Sequence, residues 1–163
     1  MADNPEQQNS QPQPQFAIQK IYVKDVSFET PNSPDIFTQE WKPDVNVEID
    51  TKSRGVSEGI YEIVLGVTVT AKFEEKVAFL IEIQQAGIFV IKEFADSDKA
   101  AMIGSYCPSL LFPFAREAVS DLVTRGGFPQ FLLQPVNFDA LYQQHLSRVK
   151  NQNKQDKDNE PVH

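Results

Sequence analysis

Apolar and polar residues alternate along four segments of the first half of the chain. In QFAIQKIYVKDVSFE the even positions, including Tyr22 and Phe28, are mostly apolar, whereas the odd positions end in Asp25, Ser27 and Glu29. The segments VNVEID, GIYEIVLGVTVTAKF and KVAFLIEIQQAGIFVI alternate in the same way. A period of two is typical of a strand with one buried face and one solvated face. The four segments therefore predict an antiparallel sheet with one face in solvent.

Helical spacing replaces this alternation after the fourth segment. ADSDKAAMIGSY predicts a short helix capped by Asp96 or Ser97. A second, longer helix is predicted from Pro108 to Arg125. Because a proline disfavours the α conformation of the residue before it, we expect a break at Cys107 between the two.

A last helix is predicted near the end of the chain. The extended, proline-marked stretch FPQFLLQPVNF leads to it, and Asn137 or Asp139 is its expected cap, with Val149 near its end. Strands first and helices last predict an α+β fold. We expect a four-stranded antiparallel sheet with the C-terminal helices packed on one face.

The composition indicates one domain with polar tails. Residues 1–15 and 150–163 lack the apolar side chains that offset ordering entropy, so both are expected to be disordered around a domain at 16–149. The net charge of −8 argues against nucleic acid and anionic membranes as partners. The chain has one cysteine, no signal-peptide pattern and no long apolar run, which predicts a cytoplasmic protein with no membrane insertion.

Candidate catalytic chemistry is sparse. Cys107, beside a predicted helix start, would need a histidine as base, and neither His145 nor His163 is placed by a motif. The favoured interpretation of Cys107 is a small buried side chain. No zinc-ligand spacing and no phosphate-binding glycine motif occurs in the sequence. We therefore predict no enzyme activity, no metal and no cofactor.

Aromatic residues are concentrated in the proline-marked segments. The loop TPNSPDIFTQEWKPD between the first two strands carries Phe37 and Trp41, and Phe128 and Phe131 follow the long helix. A long loop with its own large aromatics is often functional. These residues are consistent with a core and an oligomer interface, or with a groove for extended apolar polypeptide.

Several long segments resemble one known family. They are QKIYVKDVSFETPNSP, EWKPDV, YEIVLGVTVTA, FLIEIQQAGIF, GSYCPSLLFPFARE and RGGFPQFLLQPVNFDALY, and together they cover about residues 16–146 in order. They resemble the bacterial protein-export chaperone SecB. The resemblance implies a homotetramer, built as a dimer of dimers, that holds precursor proteins unfolded without ATP. It also implies delivery of those precursors to the translocation motor SecA.

The resemblance also implies two sets of site residues. The polypeptide-binding set is Phe37, Trp41, Val45, Val47, Phe128 and Phe131. The set expected to bind SecA through an acidic patch is Asp25, Glu29, Leu80 and Glu82. The strand pattern independently places Asp25, Glu29 and Glu82 on the solvated face of the sheet.

Three other interpretations remain open at this point. The sheet and helices would suit a carrier of small apolar ligands, or a SecB-like chaperone dedicated to a toxin–antitoxin system. A thiol enzyme using Cys107 is the least favoured.

Overall fold

One antiparallel sheet forms the first half of the protein. The structure is a computed structural model that describes residues 11–158. Its strands are β1 (Gln15–Glu29), β2 (Asp44–Ser57), β3 (Ile60–Phe73) and β4 (Lys76–Lys92). They pair in the order β1-β4-β3-β2, so β1 and β2 are the two edges. The chain crosses from β1 to β2 at the opposite edge through residues 30–43, and the predicted sheet is confirmed.

The helices follow as α1 (Asp96–Ala101), α2 (Cys107–Arg125) and α3 (Phe138–Asp158). A π-helical turn, Met102–Tyr106, joins α1 to α2 without interruption, and Cys107 has helical angles of φ −61° and ψ −46°. The predicted break at Cys107 is therefore wrong. The N–H of Cys107 bonds to the carbonyl of Met102, five residues earlier. Pro108 has no N–H to donate, and its ring would crowd the preceding turn of a regular helix. The wider π-helical turn before it leaves room for this ring, so the helix continues.

Two helix ends also differ from expectation. Ala95 is the N-cap of α1, so the predicted caps Asp96 and Ser97 are wrong, and Asp96 instead places its charge in the first helical turn. The helix α3 continues beyond Val149 to Asp158, since extending an existing helix through Lys, Gln and Asp residues costs little. Residues 1–10 and 159–163 of the predicted tails lie outside the described residues.

The N-cap of α3 agrees with the sequence prediction. The side-chain oxygen Oδ1 of Asn137 accepts the backbone N–H of Ala140 at 3.0 Å. This bond satisfies one of the amide groups that the first turn of a helix leaves without a partner.

The core lies between the sheet and α2. The alternating residues of the central strands are almost fully buried, as their pattern predicts: Ile63, Leu65, Val67, Val69, Phe79, Ile81 and Ile83. The residues of α2 that meet them are Leu111, Ala115, Val119 and Val123. Burying each large apolar side chain contributes about 1.5–3 kcal/mol, so this layer fixes which sheet face the helices cover. We call the opposite side of the sheet the outer face.

Two β-bulges in β1 change which of its residues reach the outer face. The register shifts between Ile18 and Lys20, and again between Val23 and Asp25. A bulge inserts one residue and reverses the alternation that follows it. Ile21 therefore packs on the core, and Tyr22 lies on the outer face, so placing Tyr22 on the same face as Phe28 was wrong.

Candidate functional site

The loop between β1 and β2 is anchored to the sheet. Ile36, in a short 3₁₀ helix (Asp35–Thr38), is only 4% exposed. The side-chain amide of Asn32 donates a hydrogen bond of 2.9 Å to the carbonyl oxygen of Val77 on β4. These contacts hold the loop in place although it crosses the end of the sheet.

The loop aromatics join an aromatic cluster, which we define as Phe37, Trp41, Phe79 and Phe128. The ring centroid of Phe128 lies 5.0 Å from that of Phe37, 5.2 Å from that of Trp41 and 5.1 Å from that of Phe79. These separations are in the range of favourable aromatic pairs. Phe79 and Phe128 are buried, whereas Phe37 is 49% exposed. The cluster therefore combines two buried rings with the ring of Phe37, which solvent can reach.

The end of α2 places Phe128 in this cluster. Gly127 has a φ of +84°, and its N–H bonds to the carbonyl of Thr124. The N–H of Phe128 reaches back to the carbonyl of Val123 at 3.2 Å. This is the Schellman arrangement of a helix C-terminus, which requires a left-handed residue such as glycine. Phe131 follows in the extended segment before α3 and is half-buried against the core.

The helix-facing side of β2 continues the apolar surface. Val45 and Val47 lie opposite Ala71 and Val69, which are buried, yet each is 38% exposed. Ile49 is next on this side and lines a 770 Å³ cleft between β2 and α3. The large apolar residues around this cleft are Ile49, Ile103, Leu141, Tyr142 and Leu146. We call the surface from Phe37 and Trp41 along β2 to this cleft the trough.

Sequence reasoning missed the α3 end of the trough. The apolar periodicity of the last helix includes Leu141, Tyr142 and Leu146, but it does not reveal that they face β2. Tyr142 packs against Gly104 of the π-helical turn, where a side chain would collide with its ring. Ser105, next to Gly104, donates a short hydrogen bond to Asp139. Together these contacts fix the N-terminal half of α3.

The outer face brings together the four residues of the second predicted set. Asp25 is opposite Gln84, Glu29 is opposite Leu80, and Glu82 is opposite the intervening Ser27. All four therefore project from neighbouring positions on β1 and β4. None of the three carboxylates makes an ion pair with any residue of the described chain.

Asp50 adds a carboxylate that the predicted set omits. Its side chain lies over Gly66, where any side chain would collide with it. Asp25, Asp50 and Glu82 line one 110 Å³ recess, which we call the acidic recess. The signal was present in the sequence, because Asp50 alternates with the apolar positions of β2.

A buried carboxylate links three strands elsewhere on the outer face. Glu62 of β3 is 4% exposed and accepts a hydrogen bond from the hydroxyl of Tyr22. Lys24 Nζ lies 2.9 Å from Glu62 Oε1, and Arg54 Nη2 lies 3.1 Å from Oε2. These hydrogen bonds, that of Tyr22 foremost, lower the pKa of Glu62 to about 2. The hydrogen bond to Glu62 also raises the pKa of Tyr22.

Cys107 belongs to the core. The residue is fully buried, and burial raises the pKa of its thiol to about 12. The thiol is therefore protonated at neutral pH, which is unsuited to a nucleophile. His145 lines the cleft between β2 and α3. Over residues 11–158, no three metal-ligating side chains form a group, and no helix is long and apolar enough to cross a membrane.

The family assignment agrees with this geometry. The SecB family model, described as preprotein translocase subunit SecB, matches residues 8–149. The chain belongs to the SecB family. A protein-export protein SecB from Alkalilimnicola ehrlichii is 57% identical over 148 residues, covering 91% of this chain and 79% of that protein. A protein-export protein SecB from Methylococcus capsulatus is 56% identical over 146 residues, covering 90% of this chain and 94% of that protein.

A solved structure shows the SecB-like fold directly. It is a SecB-like chaperone of Mycobacterium tuberculosis in complex with a ChAD peptide from the HigA1 antitoxin. Its TM-score is 0.63 at 13% identity, and the match covers 74% of this chain and 90% of that one. At this identity the likeness concerns the fold alone.

Removing the charge of Glu62 is expected to destabilise this SecB-family sheet. A Glu62→Gln variant loses charge-assisted hydrogen bonds, so its free energy of unfolding at pH 7 should fall by about 2 kcal/mol. The pKa of Glu62 is lowered from 4.5 to about 2, so its stabilisation is complete above about pH 4.5 and is lost as pH falls toward 2. The difference between variant and natural protein should therefore shrink at low pH.

Urea unfolding at pH 7 and pH 3 measures this difference. Glu48→Gln is the matched control, because Glu48 is an exposed carboxylate on β2. An equal loss for Glu62→Gln at both pH values would show that the ionised carboxylate is not the source of the stability.

Proposed function

We propose that the protein is an ATP-independent chaperone that binds unfolded precursor proteins in the cytoplasm and delivers them to SecA for export. The observation that supports this most is the trough. It presents Phe37, Val45 and Val47 to solvent in a row, beside the two buried rings of the aromatic cluster. A folded protein without a partner rarely exposes such a continuous apolar surface.

The shape of the trough suits an extended chain. From Val45 to Ser53 the helix-facing side of β2 spans roughly 26 Å, at about 3.3 Å per residue. Each partly buried apolar contact contributes a fraction of the about 1.5–3 kcal/mol for full burial of a large side chain. Several such contacts give useful affinity without a particular sequence. A nonnative chain exposes apolar stretches, and a folded one hides them. Proteins that fold slowly would therefore be the clients, because they expose these stretches for longer.

A homotetramer is the proposed working form. The edge strand β1, the helix α2 and the segment after α2 expose four apolar side chains to between 43% and 54%: Val23, Val26, Phe114 and Leu132. Val23, Phe114 and Leu132 line an 870 Å³ cleft between these elements. A long edge strand with exposed apolar neighbours is a natural surface for a second copy of the chain. Four copies would also multiply weak client contacts through avidity.

Docking of SecA is proposed for the outer face. Asp25, Glu29 and Glu82 are unpaired within the described chain and surround Leu80 on adjacent strands. A basic, zinc-bearing tail of SecA complements this patch in charge. Such an interaction should form rapidly and weaken with salt. Client and motor would then occupy opposite sides of one sheet.

Selective binding of a nonnative chain tests the chaperone assignment. A disulfide-containing protein, reduced and alkylated so that it stays unfolded, should bind with a measurable change in fluorescence anisotropy. The same protein in its native form should not bind at equal concentration. Equal binding of both forms, or of neither, would contradict the assignment.

A further inference from the structure

The outer face carries a second recess, with the opposite charge. It measures 270 Å³, and its lining includes Lys24, Lys52, Arg54, Glu62, Val64 and Gln84. Three cations therefore surround one carboxylate, in a chain whose net charge is −8. We call it the basic recess. The sequence did not predict this recess. A β-bulge leaves Lys24 without an opposite residue on β4, and this irregularity brings Lys24 to the recess.

Two of its cations are held in place and still accessible. Glu62 forms ion pairs with Lys24 and Arg54, whose side chains remain 41% and 65% exposed. Both groups have more N–H donors than Glu62 occupies. Lys52 makes no ion pair within residues 11–158. The recess therefore has an excess of two positive charges over the one carboxylate.

The acidic recess adjoins the basic one. The two recesses share Lys52, Val64 and Gln84 in their linings. Along β2, Asp50 of the acidic recess is two residues from Lys52 and four residues from Arg54. At about 3.3 Å per strand residue, the opposite charges are separated by roughly 7 and 13 Å.

We propose that the basic recess binds an acidic side chain of the same partner segment that docks on the acidic patch. The docked segment of SecA would then carry basic residues and, about 7–13 Å away, at least one carboxylate. This pairing of opposite charges would fix the direction in which the segment lies across the sheet, which an acidic patch alone does not specify. The inference rests on the proposed docking of SecA to the outer face.

Reversing the charge of Lys52 tests this role with little structural disturbance. Lys52 is exposed and has no ion-pair partner in the described chain, so Lys52→Glu should fold normally. Its affinity for purified SecA, measured by calorimetry at low salt, should fall about tenfold, equivalent to about 1.4 kcal/mol. Lys150→Glu makes the same change of charge on α3 and should leave the affinity within twofold.

The alternatives give different results. Unchanged affinity for Lys52→Glu would show that the basic recess takes no part in docking. Increased affinity would show that Lys52 repels a wholly basic segment, which would also overturn the proposal. An Asp25→Lys variant assayed in parallel separates these failures from a failure of the docking site. If Asp25→Lys also binds normally, SecA does not use the outer face at all.

Discussion

Replacing Asp25 and Glu82 together with lysine is expected to weaken SecA binding about a hundredfold at low salt. The two carboxylates line one recess on the outer face, so a basic partner segment would meet two repulsive charges where it now meets two attractive ones. About 1.4 kcal/mol for each reversal gives a factor of about ten per residue. Calorimetry with purified SecA at two salt concentrations measures the effect. The loss should be smaller at high salt, where screening already weakens the natural interaction.

Capture of unfolded polypeptide should remain within twofold in this variant, because the trough lies on the other side of the sheet. Glu58→Lys with Glu93→Lys is the matched control, with the same change of total charge at exposed positions outside the strands. The assignment of separate surfaces would fail if the Asp25 and Glu82 variant lost both activities together. It would also fail if the control lost SecA binding to the same extent.

The second large effect is expected in the trough. A Phe37→Asp, Val47→Asp variant should bind a reduced and alkylated unfolded protein about thirtyfold more weakly. Phe37 is 49% exposed and Val47 is 38% exposed, so each can gain further burial against a client. Both side chains are partly buried already, so the contact with a client contributes less than full burial would, about 1 kcal/mol at each position. Losing both contacts accounts for the factor of about thirty. Fluorescence anisotropy of the labelled unfolded protein gives the affinity.

Val56→Asp is the control for this variant. Val56 is 47% exposed near the end of β2, outside the trough, so the same kind of substitution there should change the affinity less than twofold. SecA binding by the Phe37 and Val47 variant should be unchanged. If Val56→Asp weakened client binding equally, nonspecific surface hydrophobicity would be responsible and not the trough.

The central strands were predictable because both of their neighbours are strands. The alternation is regular from Ile63 to Val69 on β3 and from Phe79 to Ile83 on β4, and every apolar residue expected in the core within these two stretches is buried. The same alternation correctly placed Asp25, Glu29 and Glu82 on the outer face, since the second bulge of β1 restores the phase that the first one changed. Local pattern is sufficient where the backbone remains regular.

The features missed by sequence reasoning depend on backbone irregularities or on tertiary packing. The bulges of β1 bring Tyr22 and Lys24 to Glu62, and no local pattern marks a bulge. The π-helical turn ahead of Pro108 removes the expected break, because a widened turn accommodates a proline that a regular helix would not.

The candidate client site was only partly predictable for the same reason. Phe128 is brought into ring contact with Phe37 and with Trp41, although both lie far from it in sequence. Phe128 is 5% exposed, so a client would contact it only through movement of its neighbours, while Phe131 is half-buried. The cleft beside α3 arises from how α3 docks on the π-helical turn, which sequence periodicity does not encode.

The most direct test of the chaperone function is suppression of aggregation without nucleotide. A slowly folding precursor, diluted from denaturant, is mixed with increasing amounts of the protein while light scattering is recorded, and native mass is measured on the same sample. We predict that scattering is abolished near one tetramer per precursor, and that the free protein has four times the 18.4 kDa mass of the chain. A protein that is tetrameric and folded but leaves aggregation unchanged would contradict the account.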